Sequence, residues 1–107
     1  MTEPFDHRAH VHLAWDAVRR LGLAGALAEV RGYLRGVTAA AGVPEKYHET
    51  LTVGWVLLVA DRFADGEPFD AFCARNPELL GDALARHWRK ETLASERARG
   101  RFVFPDA

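Results

Sequence analysis

The sequence predicts an all-α fold: a compact bundle of four to five helices around a buried third helix, in a single helical domain spanning residues 1–107. Three observations carry that expectation. Apolar residues recur at the three- and four-residue spacing of a helix, and nowhere alternate as a strand requires. Glycine, proline and capping residues punctuate the chain at 22, 42–44, 65–68 and 76–77, dividing it into segments of helical length. Finally, the run from Leu51 to Phe63 is apolar around almost the whole circumference of a helix, which marks a buried one.

Taken in order, Asp6 is a good N-cap for a first helix whose stripe is Val11, Ala14, Trp15, Val18 and Leu21, closed by Gly22. At about 100° per residue, His7 and His10 share the side of Ala14 and Val18, whereas Arg8, His12, Asp16 and Arg19 fall opposite. Two histidines therefore face the core. A second helix over 23–41 carries Leu27, Val30, Leu34 and Val37 inward and Glu29, Arg31 and Arg35 outward. Gly25, Gly32 and Gly36 weaken it, each by up to about 1 kcal/mol relative to alanine. Gly42 supplies a C-cap and Pro44 a start for the central helix, expected over 45–64 and stopped by Asp65-Gly66-Glu67-Pro68.

Phe69, Phe72 and Cys73 suit a short helix, and Asn76-Pro77 opens another over 77–88. Ser95-Glu96 indicates a last helical turn, after which Phe102, Val103 and Phe104 read as a tail docked on the body.

Composition narrows the function classes. In 107 residues, 14 Lys and Arg balance 15 Asp and Glu to a net charge of −1, and no helix is a basic recognition helix, so neither nucleic acid nor an acidic membrane surface is an expected partner. The apolar run Val53 to Ala60 is far shorter than the roughly 20 residues of a membrane span. A single cysteine, Cys73, and an N-terminus without the basic and apolar regions of a signal peptide lead to the expectation of a cytoplasmic protein. Arginine in preference to lysine and abundant alanine fit a GC-rich bacterial genome.

The polar residues that begin the central helix are the candidates for chemistry. His7 and His10, one turn apart, can offer two imidazoles to one ion, and His48 could complete an open centre for zinc, iron or copper, so a divalent metal ion is a candidate cofactor. The competing reading makes these histidines a structural polar network. His48 and Glu49 are candidates for acid–base catalysis, with Glu49 raised in pKa beside Val53 and Val56. Glu49 is equally suited to cap the helix that it begins. Tyr47, Thr52, Trp15 and Trp55 are candidate ligand-binding residues, the tryptophans able to hold a planar molecule or simply to pack the core.

The words His7-Arg8-x-His10-Val11-x-Leu13-Ala14-Trp15, Lys46-Tyr47-His48-Glu49-Thr50-Leu51-Thr52 and Arg86-His87 together resemble a family of small, functionally uncharacterised bacterial proteins. The resemblance spans most of the chain and brings no activity, cofactor or substrate with it. From the residues, the expected function is a histidine-lined polar pocket between helix one and the start of helix three, binding a small molecule or a metal ion. The alternative is an accessory module, dimerising with a second copy through the Gly32 and Gly36 face or through an exposed tryptophan.

Overall fold

The computed structural model describes residues 7–107, so the expected Asp6 cap lies outside the described residues. The chain is all-α, without strands among those residues: α1 (His7–Ala40), α2 (Glu49–Arg62), α3 (Phe69–Arg75), α4 (Lys90–Leu93) and α5 (Glu96–Gly100), joined in part by 3₁₀ turns. No helix among them is long and apolar enough to cross a membrane.

The two expected N-terminal helices are the two arms of α1, bent at Gly22, whose φ of 74° and ψ of −176° suit only glycine. The bend folds the Leu21 side chain over Gly25, where an added Cβ would lie 2.6 Å from Leu21 Cβ. Both glycines are thus required by the corner. Across it, Arg20 pairs with Asp16 at 2.8 Å on its own arm and with Glu29 on the other. The arms bury Val11, Ala14, Val18, Ala26 and Val30 against α2. Counting the arms separately, α2 is the third helix, and it sits at the centre with Val56 and Val59 fully enclosed.

At Gly54, Leu84 Cδ2 and the Trp88 ring lie 2.9 and 3.1 Å from where a Cβ would be, so the missing side chain lets the C-terminal half press against α2. Thr50, wholly buried, pins the tail: its hydroxyl donates to Arg101 O at 2.9 Å and accepts from Val103 N at 3.2 Å. Trp88 Nε1 adds a bond to Val103 O.

Several expected boundaries differ. The central helix begins at Glu49 rather than 45, because Pro44–Lys46 makes a 3₁₀ turn and Tyr47 and His48 are extended. A side chain able to cap competes with helix continuation, and His48 does so here. The single helix expected over 77–88 is two 3₁₀ turns, Pro77–Leu80 and Leu84–Arg86, parted at Gly81. Asn76 does not cap with its side chain but donates it back to Phe72 O at 3.0 Å. Phe104, expected to dock, is 82% exposed, and Val37, expected to face inward, is 43% exposed.

Candidate functional site

A cavity of about 230 Å³ opens between the two arms of α1, with the first turns of α2 as its third wall. Its geometry follows from the corner. Ala14 and Val30 are equidistant in sequence from Gly22, as are His10 and Leu34, and all four line the cavity. The arms diverge from the bend, so residues near it form the floor and residues far from it the mouth. Burial agrees: Ala14 and Val30 are almost fully enclosed, whereas His7 and Lys46 at the open end are exposed.

On the α2 side, His48, Leu51, Thr52 and Trp55 share one helical face and look into the same space. Leu13, Leu34, Leu51 and Trp55 make the walls chiefly apolar, where the sequence suggested a polar pocket.

The structure thus brings His7, His10, Tyr47, His48, Thr52 and Trp55 around one cavity, but not Trp15. Trp15 packs instead against Phe69 and Phe63, with ring centroids 5.2 and 6.4 Å away, and its buried indole N–H has no acceptor among the described residues. Its role is in the core.

The three histidines do not form a metal centre. No group of three His, Cys, Asp or Glu among the described residues is placed to hold an ion. The physical reason is clearest at His48, whose Nδ1 accepts the Leu51 N–H at 3.1 Å, which makes Nε2 the protonated nitrogen that donates to Leu93 O at 2.8 Å. A ligand needs a free lone pair on one ring nitrogen, and neither is free. The same two bonds leave His48 no site from which to act as a base: it is the N-cap of α2 and a clamp on α4. His7 lies edge-on to Trp55 at 5.6 Å and donates Nδ1–H to Leu80 O over a long 3.4 Å.

Glu49 also departs from its expected role. It points away from the cavity, is 7% exposed, and meets Arg31 and Arg35 of α1 and the hydroxyl of Tyr47. Arg31 Nε reaches both carboxylate oxygens, at 2.9 and 3.1 Å, and the Tyr47 hydroxyl donates at 2.6 Å. Burial pushes the carboxyl pKa upward, but the Arg31 and Tyr47 hydrogen bonds and the two guanidinium charges outweigh it, so the pKa lies below its ordinary value. The expected raised pKa is therefore reversed, and Glu49 is a fixed anion at a helix N-terminus. Tyr47 moves the other way: burial and its bond to the carboxylate hold the phenol above its ordinary value, as a lasting donor.

Arg31 and Arg35, outward-facing by sequence pattern, turn in the structure to Glu49. The signal available for the arginines was their one-turn spacing opposite the acidic start of α2. Comparison with known proteins leaves this geometry to speak for itself: no family model, curated protein or solved structure matches the chain.

Proposed function

We propose that this protein binds a small, largely apolar molecule in the cavity between the arms of α1 and the start of α2. The observation that carries the reading is a wedge of about 230 Å³, open at one end, whose two α1 walls are held apart by a glycine corner. A concave cleft with apolar walls and a polar mouth has the form of a ligand site. The reading is of binding in preference to acid–base catalysis, because His48 and Glu49 are both committed to holding the fold. A cytoplasmic setting, expected from the single cysteine, is part of this reading, and Cys73 itself is a buried free thiol whose pKa burial pushes up.

The test fills the floor. Saturation-transfer NMR with fragments of about eight to twelve non-hydrogen atoms, the size this volume admits, should detect binding to the native chain. Ala14→Leu, which places a larger side chain at the narrow end, should weaken that binding at least about ten-fold while the protein still melts cooperatively. Absence of fragment binding, or affinities indifferent to Ala14→Leu, would overturn the proposal.

A further inference from the structure

We infer that the cavity selects a small apolar monoanion, a carboxylic acid whose tail fills the wedge and whose carboxylate meets Lys46 at the mouth. The inference rests on the binding reading above and adds the chemical class of the ligand.

It follows from asking which polar groups around the cavity are still able to recognise anything. Thr38 Oγ1 donates to the carbonyls of Leu34 and Arg35, at 3.0 and 3.1 Å. The Tyr47 hydroxyl donates to Glu49, and both nitrogens of His48 are engaged by backbone. The full charge that remains at the mouth is a cation. Lys46 lines the mouth, is exposed, and pairs with no carboxylate among the described residues. His7 uses one ring nitrogen in its long bond to Leu80 O.

Lys46, Lys90, Arg97, Arg99 and Arg101 are the cations that meet no carboxylate among the described residues, and of these five Lys46 alone lines this cavity. Arg8, Arg19, Arg20, Arg62, Arg75 and Arg86 each meet a carboxylate. The cation at the cavity mouth does not, and no Asp or Glu among the described residues lines the cavity. Among the described residues, a ligand entering the wedge therefore meets an uncompensated positive charge above apolar walls.

Charge number and size narrow the class further. Lys46 supplies one positive charge at the mouth, which a singly charged head matches. A space of this volume accommodates on the order of eight to twelve non-hydrogen atoms, a range that includes hexanoate and benzoate. The tail would lie along Val30, Leu34, Leu51 and Trp55.

The experiment is a calorimetric titration of the native chain with three probes of matched length and different charge: hexanoate, 1-hexanol and hexylammonium. Hexanoate should bind about ten-fold tighter than the other two, given one charged hydrogen bond at a partly hydrated mouth. Lys46→Gln should bring hexanoate down to the affinity of hexanol and leave hexanol unchanged; Lys46→Arg should retain most of the preference. Since Lys46 is a surface residue, both variants should melt like the native chain. Hexanol binding as tightly as hexanoate, or hexanoate indifferent to Lys46→Gln, overturns the acid while leaving the binding site standing. If no probe of any charge binds, the binding reading falls and this inference with it.

Discussion

The stretch from Lys46 to Thr52 builds two neighbouring regions that use similar residues to opposite ends. On one side Glu49, Arg31, Arg35 and Tyr47 close a cluster in which the carboxylate and its partners answer one another. On the other side Lys46, His48 and Thr52 border a cavity in which space is left over and a charge is left unanswered. The more tightly matched set of titratable groups is thus the structural one. A buried charge must be matched before the chain can fold, and matching removes the freedom that chemistry needs. Function is better sought where the packing stops short.

Breaking the closed side should have the largest effect. Glu49→Gln leaves two guanidinium groups facing a neutral amide; discounted because Arg31 and Arg35 are more than a third exposed, the loss is about 2–3 kcal/mol. Thermal unfolding should then occur roughly 10–20 °C lower at neutral pH. The pH dependence has a definite sign. The folded-state pKa of Glu49 lies below its ordinary 4.5, so between the two values the unfolded chain holds the extra proton. This contribution is complete above about pH 4.5 and is lost as the pH falls through the folded value. Melting curves from pH 7 to 3 should therefore converge for the native chain and Glu49→Gln at the acid end. Curves that stay parallel would mean that the cluster contributes nothing as an ion pair.

On the open side His48 separates structure from chemistry at a smaller scale. His48→Ala removes the cap of Leu51 N–H and strands Leu93 O, for about 1–2 kcal/mol, and His48→Asn, which can still cap, should recover roughly half. Equimolar zinc should leave the melting temperature of the native chain unchanged. An unaltered melt for His48→Ala, or a zinc-dependent rise that His48→Ala abolishes, would return the metal or catalytic role to this residue.

The difference between the two regions also explains what could be read in advance. The all-α class, the Gly22 break and the central helix were legible because periodicity and punctuation are local properties. The start of α2 was not: Tyr47 and His48 suit a helix by pattern, and only the partner Leu93, far along the chain, shows why His48 caps one instead. Glu49 was misjudged because Val53 and Val56 are sequence neighbours, whereas Arg31 and Arg35 arrive from the other arm of α1. Its environment is tertiary. Lys46 escaped notice for the opposite reason: its interest lies in a missing partner, and a missing partner is visible only once the neighbouring surface is known.

The smallest effect concerns glycines that, unlike Gly22, Gly25 and Gly54, have no reason inside the chain. An added Cβ at Gly32 or Gly36 would meet nothing within 4 Å, and neither has a positive φ. In a helix interior each Gly→Ala change should then stabilise by about 0.5–1 kcal/mol, a rise of a few degrees in melting temperature. The same face carries Tyr33, 50% exposed, and Val37, so it is also where a second copy would dock if the chain dimerises through small residues. Methyl groups there would obstruct such an approach. Sedimentation of the native chain and of the Gly32→Ala, Gly36→Ala double variant decides between the two. A higher melting temperature with unchanged sedimentation makes the face a solvated one, whereas a dimer that dissociates in the variant makes the glycines an interface and shifts the search for partners from the cavity to the back of α1.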